Sequence, residues 1–195
     1  MTSIETIRNL VEQIKCKCLE WVEDKSGETY FIDPLDREEI SAHYGVTHAA
    51  VGFLVLAKQD GDANLESVGK KLLTSILNRW GTSSKLPGFH NDFNNFALCV
   101  AYDYLDGEIK ERVKNTVLST PDSPHDTVNW IPMRWYVNKC RLEWTKDEKY
   151  KTVCETCAAK IKSATYDDGF IDDRLPKGMS FNLQYDVATV AVLQY

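Results

Sequence analysis

The sequence predicts an all-α protein built from antiparallel helical hairpins, and three observations support this. Apolar residues recur every three or four positions through most of the 195 residues, the spacing that gathers them on one face of an α-helix. Segments that are apolar on most of their circumference alternate along the chain with segments that have a single apolar stripe. The connections between them are only a few residues long, which favours hairpins of neighbouring helices.

The first element is an amphipathic helix at the N-terminus. Its apolar stripe runs from Ile4 to Trp21 between charged residues. These charges interrupt any continuous apolar run, so the segment does not have the pattern of a signal peptide. After it, residues 28–33 (ETYFID) are the one stretch that favours a short extended segment.

The remaining elements alternate between two kinds of helix. Helices predicted to be buried on all sides occupy residues 46–58, 93–105, 131–140 and 183–195. Amphipathic helices occupy residues 66–80, 109–117 and 150–161. Short connections are predicted at residues 59–62, 105–108 and 143–147.

Repeated alternation of a buried helix with an amphipathic one predicts a two-layer, toroid-like arrangement. In such an arrangement the inner helices surround an axis, the outer helices cover them, and all inner helices point the same way. We therefore expect one toroid-like domain over residues 1–195. Three and a half hairpins do not close a ring, so we expect an incomplete one, completed by a longer chain, a second domain or a partner chain.

Composition excludes several classes of function. The net charge is −6 and no Lys/Arg-rich block is present, so a nucleic-acid footprint is absent. No stretch approaches the ~18 consecutive apolar residues of a membrane-spanning helix. The six cysteines fall within helical patterns, and without an export signal they indicate reduced thiols and a cytoplasmic location. The lone CxxC of Cys154 and Cys157 favours core packing, and we expect neither metal nor cofactor.

Polar and aromatic residues collect where the buried helices begin, at residues 42–48, 87–95, 124–135 and 178–186. If the inner helices are parallel, these four segments meet at one face of the ring. Helix N-termini present unpaired N–H groups and a positive dipole end, which suit anionic or hydroxyl-rich ligands. Aromatic rings mixed with polar side chains are what a cleft needs to hold a sugar chain.

Two segments carry a family resemblance: Asn129-Trp130 followed by Arg134, and DGFIDD with SFNLQYD between Asp168 and Asp186, ahead of an apolar helix. This organisation resembles the helical toroid domains of carbohydrate-active enzymes, particularly heparinase-like and alginate-lyase-like polysaccharide lyases. The resemblance implies β-elimination on a uronic acid. Masking the carboxylate charge makes the C5 proton acidic, and a Tyr or His within hydrogen-bond reach removes it.

The resemblance assigns roles to particular residues. Asn129 and Arg134 become the carboxylate binders and Tyr185 the proton shuttle, while His90 and His48 are the candidates for the imidazole. Asp186 stands where such enzymes often place a His beside the Tyr. Substrate contacts are expected from Tyr44, His48, Asn94, Trp130, Trp135 and Asn182.

Two other functions stay open on the same scaffold. Glycoside hydrolysis uses paired carboxylates about 5–10 Å apart, and the chain offers candidates at Asp92, Asp126, Asp167, Asp168, Asp172, Asp173 and Asp186. The second open function is that of a non-catalytic helical binding or assembly module. Arg134 lies in an apolar stretch, so its charge requires either a ligand or an Asp partner.

Overall fold

The computed structural model describes residues 3–39, 45–82, 88, 90–124, 129–167 and 171. Within these ranges the chain forms seven helices and one two-stranded sheet: α1 (Ser3–Glu20), β1 (Val22–Lys25), β2 (Glu28–Phe31), α2 (Gly45–Asp60), α3 (Ala63–Arg79), α4 (Asn91–Tyr102), α5 (Gly107–Ser119), α6 (Ile131–Thr145) and α7 (Glu148–Ala164). The mainly α-helical fold class is confirmed. The helix predicted at residues 183–195 lies outside the described residues. None of the helices described is long and apolar enough to cross a membrane.

Helices are observed near the positions predicted between residues 46 and 161, as α2–α7. Helix α2 packs along α3, and α6 packs along α7. Their connections are short because polar caps end one helix and start the next. Asp62 accepts hydrogen bonds from the backbone N–H groups of Asn64 and Leu65, both at 3.0 Å, and Asp147 accepts one from Lys149. Such caps satisfy backbone donors that the first turn of a helix leaves without partners.

The sheet is a hairpin that begins one strand earlier than predicted. Strand β2 falls within the predicted extended segment, but its antiparallel partner β1 (VEDK) was not predicted. The two strands are joined by Ser26 and Gly27, with φ of 55° and 81°. Two consecutive positive φ values match the twist of the flanking strands, which makes this a favoured two-residue hairpin turn.

The hairpin docks on α3 through polar contacts. The backbone N–H of Thr29 donates to Ser75 Oγ at 2.8 Å. Glu28 accepts hydrogen bonds from Asn78 Nδ2 at 2.9 Å and Arg79 Nη1 at 3.3 Å, and the bond from Asn78 contributes most to lowering the pKa of Glu28. Arg79 also lies over the ring of Tyr30, 4.3 Å from its centroid. Side chains of α3 therefore position β2 along its length.

The chain groups into two compact units, Met1–Gly88 with Val100–Val113, and Phe89–Cys99 with Lys114–Tyr195. Each unit has its own buried apolar residues. In the first they come mainly from α2 and α3, and include Val46, Phe53, Leu54, Leu65, Leu72, Leu73 and Ile76. In the second they include Leu98, Val117, Trp130, Ile131, Met133, Val137 and Cys157. One domain over residues 1–195 stays a prediction.

Gly69 of α3 lies where α2 and α3 approach each other closely. A Cβ atom at this position would lie 3.0 Å from Leu54 Cγ and 3.1 Å from the carbonyl oxygen of Ala50. Gly52 of α2 provides a contrast, because a Cβ there would meet no atom within 4 Å. The close approach of the two helices therefore depends on a missing side chain at Gly69.

We expect Gly69→Ala to lower the free energy of unfolding relative to Gly52→Ala by about 1–3 kcal/mol. Both changes gain helix propensity, worth up to about 1 kcal/mol, but only the first overpacks the α2–α3 contact. Urea unfolding of both variants measures the difference. Equal effects of the two substitutions would contradict the close approach.

Candidate functional site

The first turns of α4 bury four polar residues. Asn91, Asp92, Asn94 and Asn95 are at most 8% exposed. Burying polar groups is costly unless they form hydrogen bonds. The partners of these four side chains therefore define what this end of α4 can do.

Asp92 is the most strongly engaged of the four. Its Oδ2 accepts hydrogen bonds from Arg134 Nε at 3.1 Å and Nη2 at 2.9 Å, and its Oδ1 accepts the backbone N–H of Ser123 at 2.9 Å. Burial raises the pKa of Asp92, while the Ser123 N–H and the Arg134 charge act in the opposite direction. Both carboxylate oxygens thus have partners inside the protein.

Arg134 is bound by the same pair of residues. Besides Asp92, its Nη2 donates to the carbonyl oxygen of Ser123 at 3.0 Å. Burial alone would lower the pKa of Arg134, but the charge and hydrogen bonds of Asp92 more than offset it, so the pKa is raised. Of the two ways to accommodate its charge, the structure shows the ion pair with an Asp.

Arg134, which is half-buried, begins a polar stripe on α6 that continues through the buried residues Asn138 and Arg141, at helical spacing. Arg141 is 4% exposed and donates to the carbonyl oxygens of Val117 and Thr120 at the end of α5, at 2.9 and 2.5 Å. A cation there also complements the negative end of the helix dipole.

The segment after α5 is held by the same stripe. Asp122 accepts hydrogen bonds from Asn138 Nδ2 at 3.0 Å and Arg141 Nη1 at 2.5 Å. Ser123, as described above, is bound through both its backbone groups. This network was not predicted from the sequence, where its available signal was the i, i+4, i+7 spacing of Arg134, Asn138 and Arg141 in an apolar helix.

The three Asn side chains of α4 differ in their partners. Asn91 Nδ2 donates to the carbonyl oxygen of Pro121 at 3.1 Å, and Asn94 Nδ2 donates to that of His90 at 3.3 Å. The amide of Asn95 is fully buried, and neither its Nδ2 nor its Oδ1 has a hydrogen-bond partner among the described residues. A buried amide without partners costs about 1–3 kcal/mol.

An aromatic cluster lies where α4 and α6 begin. The ring centroids of His90 and Trp130 are 5.5 Å apart, and Phe93 meets both rings edge-on, at 5.7 and 5.2 Å. Trp130 is 7% exposed, whereas His90 and Phe93 are half-buried. The cluster therefore presents partly accessible rings beside the polar first turns of α4.

The structure brings several of the predicted site residues together. His90, Asn94, Asn129, Trp130 and Arg134 all belong to the second unit and lie at the beginnings of α4 and α6. Trp135 directly follows Arg134 on α6, with Lys139 Nζ 5.6 Å from its ring centroid.

The other predicted residues lie in the first unit, in an exposed turn, or outside the described residues. His48 lies on α2, in the first unit. Tyr44, Asn182, Tyr185 and Asp186 lie outside the described residues, as do four of the candidate acids, Asp126, Asp168, Asp172 and Asp173. Asp167 is exposed in a turn.

Cys154 and Cys157 of the CxxC pair differ in exposure. Cys157 is 3% exposed, and burial raises its pKa to about 11. Cys154 is half-buried, with its Sγ 3.6 Å from the carbonyl oxygen of Trp135. Within the described ranges, no group of three His, Cys, Asp or Glu side chains could hold a metal ion.

No protein-family model matches this chain. Comparison with curated proteins and with solved structures likewise finds no match.

We expect Asp92→Asn to lower the free energy of unfolding by about 3–5 kcal/mol, because it leaves the Arg134 guanidinium buried without a counter-charge. The double variant Asp92→Asn/Arg134→Gln should cost clearly less than the sum of the single changes. Urea unfolding of the three variants measures this coupling.

The exposed pair of Lys151 and Glu148, 3.4 Å apart, serves as a control. Lys151→Gln should change stability by less than about 1 kcal/mol, as is usual for a surface pair. A coupling near zero for Asp92 and Arg134 would show that their ion pair does not support the fold.

Proposed function

We propose that this chain is a carbohydrate-active domain that cleaves uronic-acid-containing oligosaccharides by β-elimination. The observation that supports the proposal best is the cluster of His90, Phe93 and Trp130 beside the buried polar turns of α4. Binding sites combine apolar and aromatic surface with a few placed polar groups. Aromatic rings offer flat apolar faces to the C–H groups of a sugar ring.

The proposed site uses the beginnings of two helices. Their N–H groups and dipoles favour a negatively charged group, and a uronate carboxylate is such a group. The Asp92–Arg134 pair has little net charge, so we assign it to holding the site together. Recognition of the carboxylate is assigned to the helix N-termini and to Asn129, which directly precedes Trp130.

The architecture proposed with this function is the incomplete two-layer ring. Helices α2, α4 and α6 would form its inner layer and α3, α5 and α7 its outer layer, with residues 183–195 as a fourth inner helix. Tyr185 would then stand at the start of an inner helix, as Trp130 does. A cytoplasmic location would fit short imported oligosaccharides better than intact polymers.

The proposed reaction balances without a cofactor. Tyr185, as the tyrosinate, accepts the C5 proton of the uronic acid, and the electron pair of that C–H bond forms a C4–C5 double bond. The C4–O bond breaks, and its oxygen takes the proton from Tyr185 and leaves as the new hydroxyl of the departing sugar. Asp186 lies next to this base in sequence.

We expect uronic-acid oligosaccharides to give an unsaturated product that absorbs in the ultraviolet. Tyr185→Phe should lower this rate by at least about 100-fold, since it removes the group that transfers the proton, while binding measured by calorimetry persists. Tyr166→Phe, at a residue 48% exposed, is the matched control and should leave the rate unchanged.

Other outcomes of this assay separate the alternatives. New reducing ends without ultraviolet absorbance would identify hydrolysis by paired Asp residues. Binding without any product would leave a non-catalytic sugar-binding module. An unchanged rate in Tyr185→Phe would remove this residue as the base.

The aromatic cluster has a separate test. We expect His90→Ala to weaken oligosaccharide binding by about 10-fold, because the ring contributes stacking surface worth about 1 kcal/mol. His90→Phe keeps a ring and should retain binding. If both variants bind like the unaltered chain, the sugar does not lie on this cluster.

A second candidate function, a helical assembly module, is favoured by a specific feature of the first unit. Helix α1 has a row of exposed apolar side chains, a feature that a carbohydrate site does not use.

A further inference from the structure

Helix α1 exposes an unusual amount of apolar surface. Every residue from 4 to 14 is exposed. Five large aliphatic side chains are among them: Ile4 (63% exposed), Ile7 (61%), Leu10 (55%), Val11 (38%) and Ile14 (53%). We call these five residues the α1 stripe. Contiguous apolar patches of this kind mark interaction sites in soluble proteins.

The α1 stripe has the spacing of a helix-pairing seam. At 3.6 residues per turn, its five side chains fall within about 120° of the helix circumference. Ile4, Ile7, Val11 and Ile14 follow one another at steps of three, four and three residues, which are the a and d positions of a heptad pattern. A second helix can pack against such a seam, with its side chains inserted between those of the α1 stripe.

The C-terminal part of α1 contacts neighbouring elements of its unit. Trp21, which directly follows the helix, packs on Phe31 with ring centroids 5.7 Å apart, and its carbonyl oxygen accepts the backbone N–H of Ile32 at 2.7 Å. Lys15 Nζ lies 3.8 Å from Asp60 Oδ2 at the end of α2. Since most helical stability in proteins comes from packing of an apolar face, burial of the α1 stripe would stabilise its first three turns.

We propose that two copies of this chain associate through their α1 stripes. A heptad seam is self-complementary, so a two-fold axis can place the same side chains against each other in both copies. This inference does not depend on the carbohydrate function.

The available area suits a pair of copies. The five side chains expose on the order of 500 Å² of apolar surface, so two facing stripes would bury about 1,000 Å², the lower bound for a specific interface. Flanking polar side chains add to this area. The pair therefore reaches the size of a weak but specific dimer.

The charges of α1 favour a second copy over a membrane surface. The helix contains three acidic residues (Glu5, Glu12, Glu20) and three basic ones (Arg8, Lys15, Lys17), so it is neutral, while the whole chain has a net charge of −6. Two neutral helices approach each other without repulsion. An interfacial membrane helix has a polar face rich in Lys and Arg, whereas α1 carries as many acidic residues as basic ones.

Sedimentation equilibrium of the full chain under reducing conditions tests the proposal, at concentrations up to about 100 µM. We expect a concentration-dependent species with twice the mass of one chain. Ile7→Glu/Ile14→Glu should weaken association by about 100-fold or more, because it places charges in the apolar seam. Circular dichroism should show that this variant keeps the helical signal of α2–α7.

Gln13→Glu/Cys16→Glu is the matched control. It adds the same two charges to exposed residues on the opposite face of α1, and should associate like the unaltered chain. A chain that stays monomeric at all concentrations, or a dimer that both double variants preserve, would overturn the proposal. Monomers that sediment with anionic phospholipid vesicles, and lose this through Ile7→Glu/Ile14→Glu, would overturn it in favour of a membrane.

Discussion

A guanidinium group buried inside a protein requires a carboxylate or several carbonyl oxygens within hydrogen-bond reach, and this requirement organises the second unit of the chain. Helix α6 carries two such groups, on the half-buried Arg134 and the buried Arg141. Asp92 neutralises the first; Asp122 neutralises the second, which also donates hydrogen bonds to two carbonyl oxygens of the α5 end. Because the partners come from α4, α5 and the segment after α5, satisfying two charges fixes three parts of the unit against α6.

The same requirement connects the fold to the candidate site. Arg134 and Asp92 stand in the first turns of α6 and α4, so their ion pair holds the beginnings of these helices next to each other. The rings of His90, Phe93 and Trp130 meet at that place. Asn95 lies in the same region, and among the described residues its buried side-chain amide has no hydrogen-bond partner. Structural charge pairing and a site for a ligand can thus occupy neighbouring turns.

The helical part of the fold was predictable because its signals are local. Periodicity placed the helices, and the polar connections at residues 59–62, 105–108 and 143–147 coincide with observed ends of α2, α4 and α6. Strand β1 was missed because VEDK has the composition of a solvated segment, and its pairing with β2 comes from the turn and the contacts of β2 with α3. The Ser26-Gly27 dipeptide was the available turn signal. Periodicity also does not show which apolar stripes are buried, since the stripe of α3 is buried whereas that of α1 is exposed.

The sequence by itself determined which segments are helical, which of them are mostly apolar, and that polar and aromatic residues stand at the starts of α4 and α6. These properties follow from the order of side chains along a helix, which needs no knowledge of neighbours. Only the tertiary structure decided that Arg134 pairs with Asp92, that Arg141 binds the end of α5, and that Asn95 lacks a partner. A hydrogen bond across 42 residues, as between Asp92 and Arg134, depends on where two helices pack, and no local pattern specifies that distance.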